Sequence, residues 1–234
     1  MSTPLLIVKN VCNYYSNRSM GLFGKKTIKQ VLDNVNLEIF KGEIFGLSGE
    51  SGSGKTTLGR CILGLLDYKG EIIIEGLNKK SDFKERALKL GAVFQDPGAA
   101  LNPIKRIGWL LEEPLIVNKA SRIEFTKKQR QIKVDEMLGM VGLDASYKKR
   151  FPHELSSGQK QRISIACSLM LRPSLLIADE PVSALDVSTG RQIVNLFKDL
   201  NKALGLSLLF ISHNIDLVNY LCDRTAVMEK GRVV

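Results

Sequence analysis

The sequence predicts an α/β fold: a mixed, mostly parallel sheet covered on both faces by helices, preceded by antiparallel β structure and interrupted by an inserted helical segment. Three observations carry this. Short, wholly apolar runs alternate with helix-length amphipathic ones, the order that builds a layered α/β domain. Those runs are apolar on both faces, as strands buried in a parallel sheet are. The stretch from about 98 to 155 has no β-branched runs and takes on helical periodicity.

Taken in order, "LLIVKNV", "VNLEI", "EIFGLSG", "GEIIIEG" and "GAVFQ" read as strands. Leu58, Cys61, Ile62, Leu65 and Leu66 fall at i, i+3, i+4, i+7 and i+8, one helical stripe beginning right after "GSGKTT". Beyond residue 98, helical periodicity is expected to break at Pro103, Pro114 and Pro152. Then "ISIACSLML" predicts a helix ending at Arg172-Pro173, "SLLIADE" a buried strand, "TGRQIVNLFKDLNKALG" a helix and "LSLLFISH" another strand. One composite domain over 1–234 is expected, with 1–97 and 156–234 forming the core and the antiparallel β part, and about 98–155 the helical subdomain.

Composition narrows the class. The 234 residues suffice to bury one core, and 44% hydrophobic with 25% charged residues is ordinary for a soluble domain. No run approaches the roughly 18–20 apolar residues of a membrane span, and "MSTPLLIVKN" does not read as a secretory leader. A cytoplasmic protein is expected. Cys12, Cys61, Cys167 and Cys222 are scattered without a C-x-x-C pair, which predicts reduced thiols rather than a zinc site or disulfide framework. The net charge of +10 is spread over "NKKSDFKERALK", "SRIEFTKKQRQIK" and "SYKKR". None of these interleaves aromatics as a base-stacking surface would, so solvated helix faces are expected and no nucleic-acid partner.

The chemistry starts at Gly49, Glu50, Ser51, Gly52, Ser53, Gly54, Lys55 and Thr56, a full G-x-x-x-x-G-K-[ST] match. Glycines let successive N–H groups point inward, the helix terminus adds its positive end, Lys55 reaches the β/γ-phosphates and Thr56 offers a hydroxyl to Mg²⁺. This predicts a phosphate-loop NTPase core. The bland alternative, a glycine-rich turn that binds nothing, is disfavoured by the strand before it and the helix after it. "LLIADE" ends a strand on Asp179 and Glu180. A carboxylate there is costly to desolvate without a cation, which points Asp179 at Mg²⁺ and leaves Glu180 to polarise an attacking water. Gln95 and His213 are also polar residues at strand exits, each ordinary when taken singly.

As a set, the phosphate loop, Gln95, "LSSGQ", "LLIADE", "SALD" and His213 resemble, over essentially the whole chain, the nucleotide-binding subunit of ATP-binding cassette (ABC) transporters. "VFQDPGAALNP", "FPHELSSGQKQRISIA" and "DEPVSALDVS" resemble the branch importing oligopeptides, dipeptides and nickel or metal chelates. The resemblance implies ATP and Mg²⁺ as ligands, with Glu180, His213 and Gln95 catalytic and Thr56, Gln95 and Asp179 around the cation. It implies nucleotide contacts from the phosphate loop through Thr57, and from Ser156, Ser157, Gly158 and Gln159 toward the nucleotide of a second ATP-binding subunit, a copy or a paralogue. It implies an aromatic on adenine, with Tyr15 the best match and Tyr14 its rival, and "SMGLFGKK" inserted after them. Two membrane permeases, an external solute-binding protein and a peripheral place on the cytoplasmic membrane face follow, with Ala99, Leu101 and Trp109 in the permease-docking surface. Two departures stand out. Ser157 replaces the usual first glycine of the signature, and branch members often continue well past a "GRVV"-like strand, which implies a trimmed chain. A second reading, a soluble non-transport ABC-type ATPase acting on ribosomes or DNA, would show tandem cassettes, coiled-coil arms or zinc cysteines, and none appears.

Overall fold

In the computed structural model the residues described are 3–18, 26–79, 81, 83–117 and 125–234. Most of the expected "SMGLFGKK" insertion lies outside them.

Two sheets organise the chain. Strands β1 (Pro4–Arg18), β2 (Lys26–Phe40) and β4 (Lys69–Ile74) form an antiparallel sheet in the order β2-β1-β4. The second sheet has the order β5-β6-β7-β3-β8-β9, from β3 (Ile44–Ser48), β5 (Leu90–Val93), β6 (Leu175–Asp179), β7 (Ser207–Ile211), β8 (Arg224–Glu229) and β9 (Arg232–Val233). All its neighbours pair in parallel except β8 with β9. The mixed, mostly parallel sheet is therefore present, as is the N-terminal antiparallel part.

The alternation of strand side chains explains why β3, β6 and β7 are apolar on both faces. Leu175, Ile177, Leu209, Ile211, Phe45 and Leu47 point to one core, shared with the antiparallel sheet and α1 (Lys55–Ile62). Leu176, Ala178, Leu208 and Phe210 point to the other, shared with α6 (Ser157–Leu169), α7 (Val187–Leu204) and α8 (Ile215–Leu221). On α7 the apolar set Ile193, Val194, Leu196, Phe197 and Leu200 packs inward, and Phe197 meets Phe210 edge-on at 6.1 Å between ring centroids. Truncating a phenylalanine so placed costs about 3–5 kcal/mol.

Between β5 and β6 the described elements are all helical: α3 (Pro97–Ala100), α4 (Ile107–Val117), α5 (Lys127–Met140), two 3₁₀ turns ending at Glu154, and α6. The remaining helix is α2 (Phe83–Leu88). The helical segment has no core of its own. Leu110 and Leu111 of α4, Val134 and Leu138 of α5 and Ile165 of α6 belong to the same cluster as Leu176 and Phe210 of the central sheet.

Two expectations need correction. Pro114 does not break its helix but lies inside α4. Proline cannot bond the carbonyl four residues back, which is Leu110, and that oxygen instead accepts from Cys167 Sγ at 3.7 Å. The α1 stripe is also shorter than the spacing implied. Leu65 N–H bonds Arg60 O and closes the helix, Gly64 has φ +75°, and Leu65 is left 59% exposed.

All four cysteines are free. Burial pushes the thiols of Cys167 and Cys222 up to about 12 and that of Cys61 to about 11, so these three stay protonated and inert.

Candidate functional site

The parallel strands deliver their exits to one edge. The phosphate loop follows β3, Gln95 follows β5, Asp179 ends β6 with Glu180 next, and His213 follows β7. A cavity of about 970 Å³ opens there, lined by Tyr15, Lys29, Val31, Ser51, Gly52, Gly54, Lys55, Thr56, Thr57, Gln95, Glu180 and His213.

Gly49, Gly52 and Gly54 all hold positive φ, the conformation that turns successive N–H groups to one side. Gly54 is the N-cap of α1, and no side chain caps that end, so its first N–H groups are left for a ligand. Lys55, 6% exposed, donates at 2.8 Å to both Gly49 O and Glu50 O and stands 3.4 Å from Ser53 Oγ. Burial lowers its pKa, and the nearby Glu180 and Asp179 carboxylates oppose that shift.

Thr56 Oγ1 donates to Asp179 Oδ1 at 3.0 Å, and the two share a second hollow of about 370 Å³ with Gln95. Burial raises the Asp179 pKa, against the Thr56 bond that lowers it. The donors are one hydroxyl, one carboxylate and one amide, the hard oxygen set that suits Mg²⁺. Among the described residues no cluster of three or more His, Cys, Asp or Glu could hold a metal unaided.

Glu180 adopts φ +51°, a left-handed conformation that costs a non-glycine residue roughly 1–3 kcal/mol. Its amide donates to Ile211 O at 2.9 Å. Its Oε1 meets His213 twice, at 3.0 Å from the backbone N–H and 2.8 Å from ring Nδ1. The strained turn and the double contact hold the carboxylate at the cavity wall.

The other half of the predicted set lies apart. None of Ser156, Ser157, Gly158 and Gln159 lines the large cavity. Ser156 is the N-cap of α6; its Oγ accepts from Gln159 N–H at 3.3 Å, while Gln159 Oε1 accepts from Ser156 N–H at 3.0 Å, a reciprocal capping box. Gln159 Nε2 also donates to Tyr147 OH at 2.9 Å. The Gln159 N–H, expected to face an anion, is therefore occupied, which leaves the N–H groups of Ser157 and Gly158 at the helix opening. A Cβ on Gly158 would stand 2.5 Å from Thr189 Cγ2 of α7, so any larger residue there has to displace Thr189.

Tyr15 lines the cavity while Tyr14 lies under Lys69, whose Nζ is 5.3 Å from its ring centroid. Sequence reasoning missed Lys29 and Val31, which the β1–β2 register sets beside Tyr15: Tyr15 pairs directly with Lys29. It also missed the β8–β9 turn. Gly231 N–H donates to Ser53 O and Gly231 O accepts from Asp33 N–H, both at 2.9 Å, which ties the phosphate loop to the antiparallel sheet.

A nucleotide-sized cavity, an uncapped helix over a phosphate loop, and a hydroxyl–carboxylate pair beside a fixed glutamate define a phosphate-loop NTPase of the cassette kind. The comparisons agree. The family model described as ABC transporter matches residues 32–183. The dipeptide transport ATP-binding protein DppF of Haemophilus influenzae is 44% identical over 238 residues, covering 100% of this chain and 71% of that protein. A Brucella abortus protein named "Putative peptide import ATP-binding protein" is 46% identical over 217 residues, 90% of this chain and 64% of that protein. Among solved structures, a dimeric ATP-binding cassette in a post-hydrolysis state with ADP and Pi is 32% identical with TM-score 0.81, covering 97% of this chain and 96% of its own. CbiO1 of Clostridium perfringens, part of the ABC transporter complex cbiONQ, is 29% identical with TM-score 0.82, covering 99% and 87%. The chain belongs to the ABC transporter family as an ATP-hydrolysing cassette.

Proposed function

We propose that this chain is the ATP-binding and ATP-hydrolysing subunit of a bacterial ABC importer, and that it powers uptake of peptides through partner permeases. The observation that carries the reading is the meeting of Thr56, Glu180 and His213 at the wall of one nucleotide-sized cavity, with Asp179 bonded to Thr56 just behind it. The names of the relatives at 44% and 46% identity favour peptides over nickel or metal chelates. Nothing observed favours a ribosome- or DNA-acting ATPase.

The adenine stacks on Tyr15, and the β- and γ-phosphates lie over the uncapped end of α1. Lys55 keeps two of its three N–H groups on the loop carbonyls and turns the third, only weakly held by Ser53 Oγ, to the γ-phosphate. Mg²⁺, held by Thr56, Asp179 and Gln95, would neutralise charge on the phosphate oxygens. Glu180 accepts a hydrogen bond from the attacking water and aligns it, and His213 keeps that carboxylate aimed. A second ATP-binding subunit, same chain or paralogue, presents its helix opening at Ser156–Gly158 to the γ-phosphate, so closure is driven by the tighter binding of ATP to the closed pair.

No helix among the described residues is long and apolar enough to cross a membrane; a peripheral place on the cytoplasmic face, under two permeases fed by an external solute-binding protein, fits that. Of the apolar residues assigned to docking, Leu101 is 4% exposed and belongs to the core, while Ala99 and Trp109 are exposed. The permease surface therefore rests on Ala99 and Trp109.

The test is Mg²⁺-dependent ATP hydrolysis by the purified chain, with and without reconstituted permeases and binding protein. Stimulation by them, abolished by chelator, supports the importer. Tight ribosome or DNA binding with no permease response overturns it.

A further inference from the structure

Away from the nucleotide cavity, Arg86 of α2 is an exception among the charged side chains. It is 6% exposed, its Nε is buried without a hydrogen-bond partner, and among the described residues no carboxylate pairs with it. Part-buried Arg130 pairs with Glu112, the more exposed Arg224 and Arg232 pair with Glu43 and Asp33, and part-buried Arg162 bonds the Val141 carbonyl. A buried guanidinium N–H left without an acceptor costs free energy unless a ligand supplies one.

Arg86 lines a cavity of about 230 Å³ together with Lys79, Ser81, Tyr68 and Asp67. The Tyr68 hydroxyl is likewise buried and unpartnered. Ser81 Oγ already accepts from Asn78 N–H at 3.1 Å, which leaves its own O–H to donate. Lys79 stands 5.0 Å from the Tyr68 ring centroid and 3.4 Å from Asp67 Oδ1; the Asp67 side chain is fully exposed, so that pair is screened by water and weak. Among the described residues, two cations and two hydroxyls thus line the cavity beside one solvated carboxylate.

We propose that this cavity is an oxyanion site, distinct from the nucleotide cavity, with Arg86 its anchor and a phosphate or small carboxylate group its ligand. The size sets the class: drug-sized ligands occupy about 300–1,000 Å³, so a nucleotide belongs in the large cavity and only a small anion fits here. None of these five residues lines the nucleotide cavity, so the site stands whether or not the transport reading does.

The test titrates inorganic phosphate, sulfate and succinate separately into the full chain at constant ionic strength, read by calorimetry and by melting temperature. Parallel titrations use Lys55→Ala, to remove binding at the phosphate loop, and Arg86→Met. One oxyanion site is expected to persist in Lys55→Ala, to weaken at least tenfold in Arg86→Met and to weaken a few-fold in Tyr68→Phe. Arg86→Met should also melt no lower than wild type without anion, since it removes an uncompensated charge, so lost binding cannot be put down to a damaged fold. Tyr68→Phe serves if it does melt lower. Phosphate and sulfate binding without succinate assigns a tetrahedral anion, and succinate alone a carboxylate; either supports the site. No anion-dependent stabilisation of wild type, or binding that vanishes in Lys55→Ala and ignores Arg86→Met, overturns it.

Discussion

The helix that follows the phosphate loop and the helix that follows Ser156 open with the same device, a row of N–H groups at a positive helix end, but in opposite states. At α1 the N-cap is Gly54, with no side chain to satisfy the donors, and the end faces a cavity that also holds Lys55, Glu180 and His213. At α6, Ser156 and Gln159 cap each other and the end lies outside that cavity. An uncapped terminus needs its anion within the chain. A capped one can stand in water until a partner brings the anion, which fits a site split between two subunits.

The sharpest way to break this contrast is Ser156→Arg, which puts a bulky cation at the outward helix end and removes its cap. ATP binding by the isolated chain is expected to survive, while ATP-driven dimerisation and hydrolysis fail; nucleotide binding beside gel filtration with ATP separates the two. Hydrolysis persisting in this variant would mean that α6 serves no second nucleotide. Next comes the inward side. Glu180→Gln removes the carboxylate proposed to align water, and hydrolysis should fall about 10²- to 10⁴-fold with ATP affinity kept and the ATP-bound dimer accumulating.

Smaller effects test how the large cavity divides its labour. Tyr15→Ala is expected to raise the KM for ATP about 5- to 150-fold, from stacking worth about 1–3 kcal/mol per base, whereas Tyr14→Ala leaves KM near wild type because its ring packs with Lys69 outside the cavity. Asp179→Asn should lose Mg²⁺-dependent hydrolysis yet stabilise the nucleotide-free chain at neutral pH. The sign follows from burial, which raises the carboxyl's pKa in the fold. The folded state therefore favours the protonated form, and the cost of ionisation appears as pH rises through the folded pKa. The variant's higher melting temperature should shrink as pH is lowered toward the ordinary carboxylate range. A constant difference at all pH values would show that desolvation is not its source.

What could be read from the sequence divides along the same physical line. Strand exits and the phosphate loop were legible because contiguous residues encode them: an apolar run fixes the strand, and Gly49 to Thr56 fixes the turn. The capping box of Ser156 and Gln159 was encoded at i and i+3 as well, but its consequence, the loss of the Gln159 N–H to a ligand, needs the side-chain bond to be seen. Pro114 misled because the partner that rescues Leu110 O is Cys167, on another helix. Lys29 and the Gly231 turn were invisible for a similar reason. The first depends on β1–β2 register and the second on a strand pair at the far end of the chain, and neither is a local property. Leu101 shows the converse, an apolar residue beside a functional loop that belongs to the core.

Ser157 gives the smallest expected effect and the finest probe of the outward helix end. The question is whether the added Cβ and hydroxyl obstruct what approaches. Its neighbour shows what obstruction looks like, since a Cβ at Gly158 would meet Thr189 at 2.5 Å. Ser157 is exposed and lines a hollow of about 190 Å³ with Gln95, Asp96, Pro181 and Leu185, where its hydroxyl has room. Ser157→Gly should therefore change hydrolysis less than about threefold and lower stability by roughly 0.5 kcal/mol through helix propensity. Gly158→Ala, the control, should cost far more of both because it pushes α6 off α7. A tenfold or greater gain in hydrolysis with Ser157→Gly would instead mean that the hydroxyl stands in the path of the partner's phosphate, and that the outward end is tuned as finely as the inward one.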